Sequence, residues 1–554
     1  MQTGRQCFET GQVLHCILII HPPARYTELT DHLTDEERSQ HRAWNMNKPT
    51  TILLTTLLFL SALSVRAQTV AIDIDTGTRY QTVKGFGGFL KIIPWWLKWE
   101  KYSQANKERL FDLLANDLRI RYLRLPFPAG IEAENDNNDP QRLDLSRFDP
   151  YRISWRENDT GKYDGEVNVD IYALQQLWQR GVRHLLMSTW SPAAWLKDSQ
   201  SVYGGRIKPE LREEYAEMIA GTVLSYRARL GIEIDYISLY NEPEFFVGYA
   251  HTEARPEEYR ALLPIVKTRL IREGLTTKIF GPEPGDPKAE FFGTNWIPDD
   301  RLASIDIFAF HHYPRFFNDY PEIGRLQEVG RVARERGKPA WQTEISNLQS
   351  SGGDISRADT FDEGLALGQH LHNALVHAGV EVWTWWKLYD FHPTQAYGGR
   401  PAAQRLIYIN PDNGQPNPSP KYYAMRQFSR FITSGSVRVR SQSSNQNVLV
   451  SAYRHENGNT TIIVINKESS SRQIAVTLSA GDSGEMQVYE FSSQVNGRNT
   501  GAITLQNGRF SYRVSGRSIT TFFAGDLQAG DNQPQPDRSP PRAPSNVRIR
   551  LQEN

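Results

Sequence analysis

Cysteine is almost absent from this 554-residue chain: there are two, Cys7 and Cys16, and none follows them. Everything downstream lacks a thiol, a disulfide or a cysteine-based metal site and has to be held by its core alone. An excess of either charge is missing too. Lys+Arg and Asp+Glu both total 63, and the pI is near 7.2. A nucleic-acid or anionic-membrane partner calls for a basic surplus, so neither is expected. No apolar run is long enough to span a bilayer: the longest, Ile52–Leu63, falls short of the ~20 residues required. Phosphate and metal signatures also fail. Gly87-Gly88 is not followed by Lys-(Ser/Thr). His311 and His312 are adjacent on a predicted strand, so they point to opposite faces and cannot share an ion. Glu134–Pro140, "ENDNNDP", has the composition of a calcium loop without its Gly or closing Glu, and reads as a loop beside a cleft. No cofactor and no metal is expected.

The two ends differ from the middle. From Met46, "MNKPTTILLTTLLFLSALSVRAQ" has one Lys, the apolar run, and small residues at Val65 and Ala67. That pattern predicts a secretory signal peptide over 46–67, cleaved before Gln68, and a protein exported to the periplasm or the exterior. Residues 1–45 then read as an extension from a start codon assigned too early. Residues 528–554 are rich in Pro and polar side chains and read as a linker or tail. The mature protein is expected to be a monomer without a membrane span.

Between these ends, short apolar runs alternate with longer amphipathic ones. Strands are predicted at Lys84–Leu90, Arg119–Phe127, His184–Trp190, Ile234–Glu242, Lys278–Glu283, Ser304–Tyr313, Pro339–Ile345 and Glu381–Tyr389. Helix-period segments such as "DIYALQQLWQRG" and "PELREEYAEMIAGTVLSYRARLG" lie between them. Eight strand–helix repeats predict an α/β chain folded as a (β/α)8 TIM barrel over 84–429. From 430 to 527 the alternation becomes short, with Gly, Asn and Ser turns, which predicts an appended antiparallel β-sandwich side domain. Residues 68–83 alternate likewise and are expected to add strand to it. Of the 13 Trp, 12 lie between Trp95 and Trp386, which suits a cleft that stacks sugar rings.

In such a barrel, chemistry belongs at the C-terminal ends of the strands. Glu242, in "DYISLYNEP", closes strand four, and Glu344 sits near the end of strand seven. By alternation Glu242 shares a face with Tyr240 and Ser238, and Glu344 with Gln342 and Ala340. Two carboxylates across a cleft are what glycoside hydrolysis uses, one as proton donor and one as nucleophile, ~5–5.5 Å apart in a retaining enzyme. A lone Glu at a strand end is more commonly an ion-pair partner or a cap, so the pairing carries the inference.

Several motifs resemble glycoside hydrolase family 30, a family of clan A retaining β-glycosidases: "YQTVKGFGGF", "STWSPAAWLK", "NEP", "FHHYP", "KYYAMRQFSRFITSG" and "GRSITTFF", in that order along nearly all of the mature chain. The resemblance implies Glu242 as acid/base and Glu344 as nucleophile. It implies Asn241 on the sugar 2-hydroxyl, Arg124 and Tyr313 on the Glu344 carboxylate, and Trp190 and Trp386 as subsite walls, with Trp195 and His311 close by. Members that act on glucuronoxylan carry an Arg and a Tyr near strand eight. Here the region reads "TWWKLYDFHPTQAYGG", with Lys387 and Tyr389 but no Arg directly after Trp386. The expected activity is a secreted endo-β-glycanase on a polysaccharide or oligosaccharide: xylan, β-1,6-galactan or β-1,6-glucan. The alternatives are a glucosylceramidase-like exo-β-glycosidase and a glycan-binding barrel without catalysis.

Overall fold

The computed structural model describes residues 5–8, 15–18, 69–90, 99–132, 134–151, 169–313, 323–346, 359–391, 395–397, 400–402 and 404–525. The predicted signal segment, most of the predicted upstream extension and the 528–554 tail lie outside these residues. Of the extension, Arg5–Phe8 pairs antiparallel with His15–Leu18 within a unit of its own, Met1–Ser64, in a register that sets Cys7 opposite Cys16. No helix among the described residues is long and apolar enough to cross a membrane.

Eight parallel strands close into a barrel: β1 (Gly85–Phe89), β2 (Tyr122–Pro126), β3 (His184–Ser188), β4 (Tyr236–Ser238), β5 (Lys278–Pro282), β6 (Ile307–His311), β7 (Ala340–Glu344) and β8 (Val382–Trp385). Each pairs with its sequence neighbours, and β8 pairs with β1 to close the ring. Nearly every strand residue is buried, as both faces of an all-parallel sheet must be. Inside, Tyr122, Leu186, Phe280, Ile307, Ala309, Trp341 and Val382 fill the lumen. Helices Ile171–Gln179, Arg212–Leu230 and Pro256–Arg272 are among those covering the outside. Asp170 caps the first of these by accepting from the Ala173 N–H at 3.0 Å, and Gly231 ends the second in the left-handed conformation.

All eight predicted strands are present, and most of them are shorter at the C-terminal end than the apolar runs implied. The fourth stops at Ser238 rather than Glu242, and the sixth at His311 rather than Tyr313. The runs continue because the residues past the ladder turn into the barrel mouth and are buried there.

The second sheet has nine strands. Val70–Val83 lies between Ser436–Ser443, to which it is antiparallel, and Arg472–Leu478, to which it is parallel. Every other pair in that sheet is antiparallel. The exception has a plain cause: the whole barrel separates this strand from its partners in sequence, so no hairpin fixes its direction. Val70, Ile72 and Ile74 are buried in the sandwich core with Val439, Val464 and Phe522. Three such side chains contribute roughly 1.5–3 kcal/mol each, enough to make this strand integral to the domain.

The sandwich's other apolar face continues into the barrel core. Ile463, Ile465, Phe491 and Ile519 pack there with Leu371, Tyr422 and Phe428. Close approach depends on Gly364 and Gly368 of helix Phe361–Asn373: a methyl at Gly368 would lie 2.3 Å from Ile519 Cδ1, and one at Gly364 2.7 Å from Phe491 Cζ.

Gly87 shows why the Gly-Phe-Gly-Gly run opens the barrel. A Cβ there would lie 1.8 Å from the Tyr122 carbonyl oxygen on the neighbouring strand. Gly87→Ala is expected to destabilise the protein by more than about 3 kcal/mol, because backbone rather than a pliable side chain is in the way. Gly324→Ala, where a methyl meets nothing within 4 Å, should leave the thermal midpoint unchanged or slightly raised. Equal midpoints for the two variants would contradict this.

Candidate active site

Arg124, on β2, is fully buried and organises the barrel mouth. Its Nε donates to Ser188 Oγ at 3.0 Å, one Nη to Glu344 Oε2, and the other to Asn241 Oδ1 at 2.7 Å. That second nitrogen also lies 3.3 Å from Glu283 Oε1, and the guanidinium sits 4.5 Å from the Trp190 ring centroid. Residues from the ends of β2, β3, β4, β5 and β7 therefore meet on one group. A guanidinium can do this because its N–H donors form a fixed planar fork.

His311, at the end of β6, links the carboxylates. Its Nδ1 is 2.9 Å from Glu242 Oε1 and its Nε2 3.3 Å from Glu283 Oε1. The hydroxyl of Tyr313 donates to Glu344 Oε1, and that of Tyr249 to Glu242 Oε2 at 3.3 Å. One carboxylate oxygen of Glu242, one of Glu344 and one imidazole nitrogen all lie within 4.8 Å of one another. Such a triangle could hold a cation, but Arg124 already binds Glu344, and both imidazole nitrogens face carboxylates.

The backbone contributes as well. Glu242 and Glu283 both have left-handed conformations, φ 49° and 61°, and the Glu242 N–H donates to the Glu283 carbonyl at 3.0 Å. For a non-glycine residue each such φ costs on the order of 1–3 kcal/mol, strain that gathers where geometry serves chemistry. Strict alternation therefore does not place Glu242, because the ladder has ended before it. Nor does it hold on β7. The β6–β7 register shifts between Gln342 and Glu344, so Thr343 donates to Glu283 Oε1 at 2.6 Å while its neighbour Glu344 reaches Arg124.

Charge in this buried group is nearly balanced. Burial alone would raise the Glu283 carboxyl. The Arg124 charge and the His311 and Thr343 hydrogen bonds outweigh it and hold the pKa at about 2. Burial would lower His311, yet Glu344, Glu242 and Glu283 carry it up to about 9, an imidazolium at neutral pH. Burial raises Glu344, His311 and Arg124 pull it down, and Glu242 pushes it up again; the net shift is upward. Two cations thus face three carboxyls, and one proton among the three makes the group neutral.

Of the residues singled out in the sequence, Arg124, Asn241, Glu242, His311, Tyr313 and Glu344 come together. Trp190 and Trp386 stand beside them with their ring centroids 5.8 Å apart, and Phe89 lies 4.1 Å from Trp386. Trp195 does not join that cluster: its Nε1–H donates to the Glu132 carbonyl at 3.2 Å and its ring packs on the main core. Lys387 and Tyr389 are buried: the Lys387 ammonium lies 3.2 Å from Asp390 Oδ2 and 5.5 Å from the Trp386 ring centroid, and the Tyr389 hydroxyl donates to Asp170 Oδ2 at 3.4 Å. Sequence reasoning passed over Glu283, Ser188, Thr343, Tyr249 and Glu244. The last, pushed to about 7 by burial and by Glu242, accepts from the Gly285 N–H at 2.9 Å. Glu283 carried a usable signal, a carboxylate at the end of β5, but no partner was visible in the sequence.

Because the folded-state pKa of His311 is raised from 6.5 to about 9, its contribution to stability is complete below pH ~6.5 and is lost as pH rises through 9. The thermal midpoint should fall between those values. His311→Asn should flatten that fall, and an unchanged pH dependence in the variant would refute the assignment.

Residues 435–522 match the family model described as the glycosyl hydrolase family 30 beta sandwich domain. The glucuronoxylanase XynC of Bacillus subtilis is 24% identical over 459 residues, spanning 81% of this chain and 91% of the relative. An endo-1,6-beta-D-glucanase of Neurospora crassa is 24% identical over 479 residues, 76% of this chain and 86% of that one. Among solved structures, the catalytic domain of a GH30 xylanase C from Talaromyces cellulolyticus superposes with a TM-score of 0.64 at 19% identity, covering 82% of this chain and all of that one. Barrel, side sandwich and relatives agree: this chain carries a glycosyl hydrolase family 30 beta sandwich domain beside its barrel, is similar along most of its length to xylanases and glucanases with the same build, and is an O-glycosyl hydrolase.

Proposed function

We propose that the protein is an exported, monomeric endo-β-glycanase. It cleaves a neutral extracellular β-glycan by double displacement, with Glu344 as nucleophile and Glu242 as acid/base. The observation that carries this reading is the 4.8 Å limit on the Glu242–Glu344 oxygen separation. Such a gap admits an anomeric carbon but leaves no room for the water an inverting enzyme places between its carboxylates. Glu344 accepts donors on both oxygens, from Arg124 and Tyr313, which favours the ionised form a nucleophile requires. Glu242, which faces His311 and Tyr249 instead, is then the acid that hands a proton to the leaving oxygen and takes one back from water in the second step. Asn241 Oδ1 accepts from Arg124, which turns the amide hydrogens toward a sugar hydroxyl.

The relatives named above act on glucuronoxylan and on β-1,6-glucan. Lys387 and Tyr389 are buried against Asp390 and Asp170, so neither is available to grip a uronate. We therefore favour unsubstituted stretches of xylan, or a β-1,6-linked glucan, over a substrate selected by its uronic acid. Release of reducing ends from a panel of polysaccharides tests this. Xylan or β-1,6-glucan should be cut internally, and activity confined to terminal glucose of a glycolipid would overturn the endo assignment.

Glu344→Ala is expected to lower turnover by roughly 10⁴-fold or more. Added azide should restore part of it and give an α-linked glycosyl azide, and hydrolysis at the normal rate would refute the role. Glu242→Gln should abolish cleavage of polysaccharide yet retain glycosylation by an aryl glycoside whose leaving group needs no proton. Equal losses on both substrates would show that Glu242 is not the acid.

A further inference from the structure

The loop after β4 carries Glu242 and, four residues on, the most exposed large hydrophobic side chain among the described residues. Phe246 is 81% exposed, against 46% for Tyr80, 53% for Tyr151 and 65% for Ile271. Tyr80 is covered on one face by the Arg438 guanidinium, 3.8 Å from its ring centroid, and Ile271 lies on the solvent side of helix Pro256–Arg272. A single exposed ring is ordinary on a protein surface. Phe246 is set apart by where it stands and how it is held.

Two loops at the barrel mouth are bound into one shelf beneath it. The His251 N–H donates to the Val202 carbonyl at 3.0 Å, and the Glu253 N–H to that of Gly205 at 3.1 Å. The buried Lys197 ammonium donates to a carbonyl of each loop, Val202 at 3.1 Å and His251 at 2.8 Å, and to Ser191 Oγ at 3.0 Å. The Ala254 N–H, donating to the Pro243 carbonyl at 3.1 Å, closes the base of the loop that holds Phe246. On this shelf the Phe246 ring is perpendicular to the His251 imidazole, their centroids 5.3 Å apart. It also lies beside Gly204, where a Cβ would be 3.4 Å from Phe246 Cε2. Val202 and Tyr249 of the same two loops pack on Phe89, Trp190 and Trp386. The rings of Tyr249 and His251 are 6.4 Å apart, and the Tyr249 hydroxyl donates to Glu242 Oε2. The apolar wall of the cleft thus continues from Trp190 and Trp386 through Val202, Tyr249 and His251 to Phe246.

The chemistry of Glu242 gives this wall its direction. The acid protonates the leaving oxygen, so its side of the cleft receives the leaving portion of the chain. The neighbouring Phe245 crowds the same glycine as the acid: a Cβ at Gly285 would lie 2.2 Å from Phe245 Cε2 and 3.0 Å from Glu242 Oε1. We propose that Phe246 is the stacking platform for an uncharged sugar ring in the leaving portion of the glycan, an inference that rests on the acid role of Glu242. A pyranose offers one apolar face to an aromatic ring. A ring on a hydrogen-bonded shelf also loses little freedom when the chain settles on it. The part Phe246 plays is to bind and align the leaving sugar, and bond breaking stays with the two glutamates.

The test uses two probes, β-1,4-xylohexaose and β-1,6-glucohexaose, each labelled at the reducing end. Each is matched with the β-fluoride of its disaccharide, whose leaving group has no ring to stack. On the hexasaccharide that the unaltered protein cleaves, Phe246→Ala should lower kcat/KM by roughly 10-fold. The loss on the matched fluoride should be far smaller, and Phe246→Trp should restore the hexasaccharide. The cleavage position in Phe246→Ala should also move toward the labelled end, because binding modes that fill the platform lose their advantage. Both variants should keep the thermal midpoint, since the side chain is exposed. Equal changes on hexasaccharide and fluoride, or an unmoved cleavage position, would overturn the platform and leave the hydrolase reading standing. Failure of the unaltered protein to cleave either hexasaccharide or either fluoride would overturn that reading, and the platform with it.

Discussion

The barrel mouth depends on one buried guanidinium. Arg124 holds Glu344, Asn241, Ser188 and Glu283 at once, and no smaller cation has donors enough in one plane to do so. Removing it would leave three carboxyls in low dielectric with only His311 to offset them, a situation that costs several kcal/mol. The same charge count sets the chemistry. With Arg124 and His311 positive and Glu283 held ionised, the group is neutral only when the remaining pair of carboxyls keeps a single proton. A retaining glycosidase starts from that state.

The fold supplies the positions. Parallel strands all deliver their C-terminal residues to one rim, so groups separated by more than 200 residues in sequence, Arg124 and Glu344, become hydrogen-bond partners. The last step of placement is local and strained: left-handed backbone at Glu242 and Glu283, and a register shift ahead of Glu344. Burial of the eight strands and of the nine-stranded sheet against the barrel gives the stability on which that strain is carried. The small domain is more than an appendage, since Ile519 and Phe491 complete the core around helix Phe361–Asn373.

Much of this is legible in the sequence. Eight apolar runs separated by helix-period segments predict the barrel, because both faces of each strand must be buried and both periods are strong. The two glutamates can be picked out as carboxylates at the ends of strands four and seven. Strand ends were less visible, since residues that line the mouth are as apolar as those in the ladder. Glu283 was missed as a member of the site because its significance lies in what faces it, Arg124, His311 and Thr343, and those come from three other strands. Trp195 misled in the opposite direction: its motif places it after strand three, but its indole turns to the Glu132 carbonyl.

The central claim is that Glu344 attacks the anomeric carbon while Glu242, on the other side of a gap under half a nanometre, attends the leaving group. Trapping the intermediate tests it most directly. The protein would be incubated with a 2-deoxy-2-fluoro β-glycosyl fluoride of the sugar it cleaves, then digested and analysed by mass spectrometry. A single covalent glycosyl adduct on the Glu344 peptide is the result the account requires. An adduct on Glu242 or Glu283, or turnover without any adduct and with inverted anomeric configuration, would contradict it.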